Sequence, residues 1–271
     1  MQQAIAILDS GVGGLTVVKE VMRQMPGESI VYFGDTARAP YGARPPEEVV
    51  RFTEEIVRYL TQFKPKMIVI ACNTATALAI DRIRDMVDIP VVGVIEPGAR
   101  AAIRTSKNGF IGVIGTDNTI RSGAYRRALQ NLSPDVRVAS LACPRLVPLV
   151  ERGDYRSGLA KQTVEESLAP MLHYPIDCLI LGCTHYPFLA EAISETVGPG
   201  VALINSAEET AKEIRDILSF RGGLSSPDRL PVHYFYCSGR PSTFRRIAKE
   251  WLGRQIRVSP VVWQLTRFAD D

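Results

Sequence analysis

The chain predicts an α/β fold: two pseudo-symmetric, doubly wound parallel-sheet domains with a ligand site in the cleft between them. Three observations predict it. Short apolar runs rich in β-branched residues feed directly into helix-like stretches, the signature of βα units. The succession of these units begins again near the middle of the chain. A cysteine closes a matching strand in each half, Cys72 after Met67-Ile68-Val69-Ile70-Ala71 and Cys183 after Leu179-Ile180-Leu181-Gly182.

In the first half, Ala4 to Leu8 leads into Asp9-Ser10-Gly11-Val12-Gly13-Gly14 and a helical stretch from Leu15 to Val21. Ser29 to Phe33 leads into Gly34-Asp35-Thr36 and a Pro-rich loop. Pro45-Pro46 opens a helix whose Val49, Phe52, Ile56, Val57 and Leu60 fall on one stripe. Met67 to Ala71 leads through Cys72 to a helix over 77–84, and Pro90 to Ile95 ends the half at Glu96-Pro97-Gly98. The second half repeats the order. Phe110 to Ile114 with Gly115-Thr116 echoes the first strand, Val136 to Leu141 the second, the Cys183 unit the Cys72 unit, and Val201 to Ile204 the last. Helical stretches at 121–129 and 157–172 add packing surface. A strand from Val232 to Cys237 and a helix over 242–252 follow, and this tail is expected to return to the first unit. The predicted domains are therefore 1–95 with 209–271, carrying Cys72, and 96–208, carrying Cys183. Two crossings between them make a hinge.

Composition narrows the class. With 271 residues, 46% hydrophobic and 23% charged, the chain has the make-up of a globular α/β protein. Its apolar runs are strand-sized, so no transmembrane span is expected. The N-terminus enters a strand directly and lacks the features of a secretory signal. Five cysteines without a regular framework argue against a secreted disulfide scaffold, so the expected setting is cytoplasmic. A net charge of +3, with no basic cluster interleaved with aromatics, predicts no nucleic-acid partner.

The residues that carry chemistry lie where strands run out into helices. Ligands of doubly wound sheets bind at the carboxyl ends of the strands. Two thiols presented there can face one another across a carbon, one removing a proton from one face and the other returning one to the opposite face. A helix N-terminus at each loop is expected to lower the thiol pKa. Cys143, Cys178 and Cys237 read as core residues, the usual fate of a free cysteine. Cys178 and Cys183 sit five apart on one strand, so they point to opposite faces, and with His185 they match no zinc motif. No metal site is expected. The Asp9–Gly14 loop can hold an anion on backbone N–H groups, but it is neither a dinucleotide fingerprint nor a phosphate loop. His185 can exchange a proton with Cys183 or pair with its thiolate. Asp9 and Asp35 end strands on the ligand side, where a turn or cap role is also common. Tyr41-Gly42 lies on a loop where a hydroxyl and a bare backbone can reach a ligand.

Taken together, Asp-Ser-Gly-Val-Gly-Gly (9–14), Gly-Asp-Thr-Ala-Arg-Ala-Pro-Tyr-Gly (34–42), Ala-Cys-Asn-Thr-Ala-Thr (71–76), Gly-Val-Ile-Glu-Pro-Gly-Ala (93–99), Leu-Val-Pro-Leu-Val-Glu (146–151) and Gly-Cys-Thr-His-Tyr-Pro (182–187) resemble the glutamate racemases of the cofactor-independent aspartate/glutamate racemase family. The resemblance implies an isomerase that interconverts L- and D-glutamate, supplying D-glutamate for peptidoglycan, with no pyridoxal phosphate or other cofactor. It implies Cys72 as the base toward the D-enantiomer and Cys183 as the base toward the L-enantiomer, with Asp9, His185 and Glu151 assisting. Substrate contacts would come from Asp9, Ser10, Tyr41, Gly42, Asn73, Thr74, Thr184 and His185, with Thr116 and Thr119 beside them. An α-proton next to an ionised carboxylate is weakly acidic, so donors preorganised toward the developing enediolate must contribute, each worth about 3 kcal/mol. The hydroxyls and backbone N–H groups of Ser10, Asn73, Thr74 and Thr184 are the candidates. Closure of the hinged domains is expected to exclude water and set the sulfurs at reacting distance. A homodimer is expected at the level of the family. Some glutamate racemases interfere with DNA gyrase, but no feature here predicts that partner. The chain reaches its first strand without the N-terminal extension of relatives that respond to a cell-wall precursor, so the resemblance does not carry that regulation. Aspartate and hydantoin racemases are the nearest rival reading; a non-catalytic anion-binding protein is the rival of a different class.

Overall fold

The computed structural model describes residues 3–263. The first half runs β1 (Ile5–Asp9), α1 (Leu15–Gln24), β2 (Ile30–Gly34), α2 (Pro46–Thr61), β3 (Met67–Ile70), α3 (Asn73–Arg84), β4 (Val91–Gly93) and α4 (Ile95–Thr105). It continues through β5 (Phe110–Gly115), α5 (Asp117–Arg121), α6 (Ala124–Leu132), β6 (Arg137–Ala142), α7 (Leu146–Glu151), α8 (Gly158–Leu168), β7 (Cys178–Gly182), α9 (Ala190–Val197), β8 (Ala202–Asn205) and α10 (Ser206–Phe220). β9 (His233–Cys237), α11 (Pro241–Leu252) and β10 (Val258–Pro260) complete it.

Two sheets result, one of six strands in the order β10-β9-β2-β1-β3-β4 and one of four in the order β6-β5-β7-β8. Every pairing in both is parallel. Helices cover both faces, so central strands are buried throughout: Ile5, Ala6, Ile7 and Leu8 of β1 have no exposed surface. The core β2-β1-β3-β4 and the sheet β6-β5-β7-β8 share one winding. In each, strand order reverses at the first strand, opening a crevice between the first and third at their carboxyl ends. Asp9 and Cys72 flank that crevice in one sheet; Thr116 and Cys183 flank it in the other.

The tail crosses back after α10, which packs on both α1 and α4. β9 then pairs with β2 and lengthens the first sheet. The return is anchored by a buried carboxylate: Glu28 meets Lys66 at 2.6 Å and accepts from the backbone N and the hydroxyl of Ser225 at 2.7 and 3.0 Å.

Several elements differ from expectation for local reasons. α3 begins at Asn73 rather than residue 77, because Cys72 is its N-cap and a first turn tolerates weak helix formers. The stretch after β4 is the helix α4 rather than a strand end; Pro97 falls in its first turn, where a missing N–H costs nothing. The predicted helix at 121–129 is two helices, α5 and α6, parted by Gly123 in a left-handed conformation at φ 67°. The stretch at 157–172 ends its α-helix at Leu168 and continues as a 3-10 turn from Ala169 to His173. β10, on the outer edge of the first sheet, has no counterpart in the expectations.

Candidate active site

Cys72 follows β3 and caps α3; Cys183 follows β7 and opens a 3-10 turn, Tyr186–Leu189, ahead of α9. Both are buried, and Cys183 lies near enough for its charge to add to the raised pKa of Cys72. The glycine loop of the first sheet presses on the Cys183 loop. A Cβ at Gly13 would lie 2.1 Å from Thr184 Oγ1 and 2.8 Å from the His185 ring, so only glycine permits this approach. Thr184 Oγ1 donates to Asp9 Oδ2 at 3.5 Å, a second tie across the cleft. Gly42 makes the reciprocal approach, since a Cβ there would stand 2.6 Å from Thr116 Cβ.

Around Cys72 the partners are neutral or acidic. Its Sγ lies 3.6 Å from Ser10 Oγ. Burial pushes the thiol up to about 12, and the charge of Asp9 adds to this, against the lowering effect of the Ala75 N–H and the Ser10 hydroxyl. The expectation that a helix N-terminus would lower this pKa is therefore wrong for Cys72. One amide and a partial dipole do not offset removal of a thiolate from water beside a carboxylate. Asp9 is itself fully buried, and burial raises its carboxyl, opposed by His185 and by the N–H groups of Gly11 and Gly14. The Gly11 N–H donates to Asp9 Oδ1 at 2.8 Å, so part of the glycine loop is occupied by its own aspartate.

Around Cys183 the partner is a histidine. His185 Nδ1 stands 3.7 Å from its Sγ. Burial disfavours the imidazolium, but the Cys183 sulfur, Glu151 and Asp9 outweigh it and raise the histidine to about 10. Glu151, at the end of α7, approaches His185 Nε2 with Oε1 at 3.4 Å. That is ion-pair distance without hydrogen-bond geometry, and Nε2 is buried with no hydrogen-bond partner among the described residues. Gly11 and Glu151 also line a cavity of about 320 Å³ shared with Ala39, Thr243 and Phe244, beside the cleft.

Three hydroxyls form a triangle across the cleft: Thr74 lies 2.9 Å from Thr116 and 3.2 Å from Thr119, which are 3.0 Å apart. Contacts thus join Asp9 with Thr184, Ser10 with Cys72, Cys183 with His185 and Thr74 with Thr116 and Thr119, whereas Asp35 and the Tyr41 phenol face a separate network. The Tyr41 hydroxyl donates to Asp35, which also accepts from Arg38 at 2.6 Å, Ser238 at 2.6 Å and Trp263 at 3.2 Å. The Tyr41 phenol is therefore turned to Asp35 and its carbonyl accepts from the Arg44 N–H, and Asp35 is the turn aspartate of the alternative reading. Two residues were missed. Asn118 donates to the carbonyls of Tyr41 and Arg44 at 3.2 and 2.7 Å, holding the 34–44 loop against the second sheet. Tyr125 donates to Asn73 Oδ1 at 2.7 Å. Neither carries a local signal, because each partner lies far away in the chain. Among the described residues no cluster of His, Cys, Asp and Glu can hold a metal ion, and no helix is long and apolar enough to cross a membrane.

The profile of the Asp/Glu/Hydantoin racemase family matches residues 11–214. The chain is 52% identical over 252 residues to a glutamate racemase of Listeria monocytogenes serotype 4a (strain HCC23), covering 93% of this chain and 95% of that one. It superposes with a TM-score of 0.93 on a glutamate racemase isoform from Bacillus anthracis, at 49% identity over 96% of this chain and 97% of that one. A glutamate racemase from Francisella tularensis, solved in complex with D-glutamate, gives 0.90 at 32% identity, again over 96% and 97%.

Proposed function

We propose, from the premise that this chain belongs to the Asp/Glu/hydantoin racemase family and is an amino-acid racemase, that it interconverts L- and D-glutamate by two-base proton transfer between Cys72 and Cys183. The observation that carries the mechanism is the matched placement of two buried thiols at the ligand ends of two equivalent sheets, each beside an ionisable partner.

In the L-to-D direction Cys183, as thiolate, takes the α-proton, and Cys72, as thiol, delivers its own proton to the opposite face. The enzyme is left with the protonation states exchanged, and the reverse reaction starts from that form. The raised pKa of Cys72 suits it to hold a proton for delivery, and the imidazolium of His185 suits the side that begins as thiolate. The substrate carboxylate, gaining enediolate character, would take hydrogen bonds from Ser10, Asn73, Thr74 and Thr184, with the Thr116 and Thr119 hydroxyls joined to Thr74. Asp9 would meet the ammonium or assist Cys72. Glu151 would hold the charge of His185. We read the Gly13–Thr184 and Gly42–Thr116 approaches as the closed form that excludes water. The same reading implies a homodimer, a cytoplasmic setting, no pyridoxal phosphate, and supply of D-glutamate to peptidoglycan.

The test is racemisation of L- and D-glutamate in deuterated water with no added cofactor. Inversion with deuterium entering the α-position is the expected result. Inversion of aspartate or a hydantoin, with glutamate untouched, would keep the mechanism and replace the substrate. No α-exchange on any of them would leave an anion-binding protein.

A further inference from the structure

Tyr125 lies on α6 and is buried, yet it belongs to neither cysteine loop. Its ring rests on the backbone that precedes Cys183, since a Cβ at Gly182 would come 3.0 Å from Tyr125 Cε2 and 2.6 Å from the Ile114 carbonyl oxygen. Its hydroxyl reaches the residue that follows Cys72, donating to Asn73 Oδ1 at 2.7 Å. One side chain thus touches the immediate neighbours of both sulfurs. Burial raises the phenol well above its ordinary range, so it stays a donor at any pH the protein meets.

The consequence falls on Asn73. With Oδ1 occupied by the phenol, the carboxamide has one orientation, and its NH2 points away from Tyr125. Nδ2 is buried and has no hydrogen-bond partner among the described residues. A buried amide donor left without an acceptor costs about 1–3 kcal/mol, so such groups are rare unless a ligand completes them. The cleft that Asn73 shares with Cys72 and Thr74 is where a carboxylate would bring acceptors.

We propose that Tyr125 is a positioning residue for the racemase reaction: it spans the two cysteine loops and fixes the Asn73 carboxamide with its NH2 presented to the substrate carboxylate. The inference rests on the racemase reading above and adds to it a residue outside the cysteine motifs. It separates Tyr125 from an ordinary core tyrosine, whose loss would act on the whole fold and not through Asn73.

A double-mutant cycle on glutamate racemisation tests it, with wild type, Tyr125→Phe, Asn73→Ala and the double variant measured for kcat and KM in both directions. Tyr125→Phe keeps the ring against Gly182 and should melt close to wild type while kcat/KM falls about tenfold, the value of one hydrogen bond. Asn73→Ala should lose about a hundredfold. The double variant should match Asn73→Ala, because Tyr125 has nothing left to orient. Asn73→Asp, which keeps an acceptor facing Tyr125 but has no NH2, should match Asn73→Ala. The proposal is overturned if Tyr125→Phe has wild-type kinetics, or if it costs the same factor with and without Asn73. Wild-type activity in Asn73→Asp overturns it too, whatever the fate of Tyr125→Phe. A wild type inert toward both enantiomers, by contrast, overturns the racemase reading and this inference with it.

Discussion

The two cysteine loops occupy equivalent positions in sheets of the same winding, yet the surroundings of the sulfurs differ. Cys72 caps a regular helix and sits between a hydroxyl and a buried carboxyl; Cys183 leads into a 3-10 turn that brings His185 back to its sulfur. Backbone symmetry puts a thiol at the ligand end of each sheet, and the side chains beside the two sulfurs are different. Burial and Asp9 hold Cys72 as thiol, while a protonated imidazole stands beside Cys183. On the proposed mechanism that resting arrangement is the one that accepts L-glutamate.

The strongest way to break the comparison is to remove one thiol at a time. If the loops are equal partners, Cys72→Ala and Cys183→Ala should each lower racemisation by about a hundredfold or more, the scale of a lost acid or base. A variant that still racemises at the wild-type rate would make the remaining thiol the sole base.

The close approach of the loops can be broken next. Gly13→Ala would drive a methyl into Thr184 and His185, whereas a Cβ at Gly11 meets only Ala39, at 3.8 Å. Gly13→Ala should therefore cost about a hundredfold in kcat/KM through lost alignment, with far-UV circular dichroism unchanged. Gly11→Ala should stay near wild type. Equal losses in both would show that the glycine loop matters for its backbone freedom and not for this contact.

The asymmetry itself is sharpened with His185→Asn. The enantiomers have equal free energy, so kcat/KM must stay equal in the two directions for every variant. The difference between the loops can appear only in kcat and KM taken singly. His185→Asn should lower kcat/KM about tenfold to a hundredfold. In the wild type kcat/KM should decline as pH rises through about 10, where the imidazolium is lost, and the variant should lack that limb. A basic limb that persists unchanged would assign the titration to another group.

The smallest effect is on stability. The His185 pKa is raised from 6.5 to about 10 on folding. The folded chain therefore holds a proton there that the unfolded chain gives up between those values. The stability this confers is fully present below about pH 6.5 and is lost as pH rises through about 10. The melting temperature of wild type should fall relative to His185→Asn over that window; a constant difference would mean that the histidine has the same pKa in both states.

What was legible in the chain was what sequence-local physics specifies. Strand runs ending in Cys72 and Cys183 place both thiols, because a parallel strand has one ligand end. Asn73, Thr74, Thr184 and His185 follow as neighbours in the same loops, and Asp9 and Ser10 lie at the same end of β1. The separations of 52 positions from Asn73 to Tyr125 and 77 from Tyr41 to Asn118 put those contacts beyond any pattern in the chain. Glu151 was reached only through resemblance, since its approach to His185 depends on how α7 packs. The Cys72 pKa departs from expectation for a related reason: a helix N-terminus can be read from the chain, but the depth of burial that overrides it cannot. α4 was missed because Pro97 reads as a breaker unless its place in a first turn is known.

The crossing of the tail sets an order of assembly on the ribosome. The sheet β6-β5-β7-β8 is contiguous in the chain and can form as soon as residue 205 has emerged. The other sheet must wait: until β9 arrives, β2 is an open edge able to pair with any strand it meets. Glu28 waits as well, a carboxylate in a site that will close over it, held by Lys66 alone until Ser225 supplies its two donors. A nascent chain stalled before residue 225 would thus carry a finished half and a half with an exposed seam. That seam is where a chaperone, or a second unfinished chain, would be expected to bind.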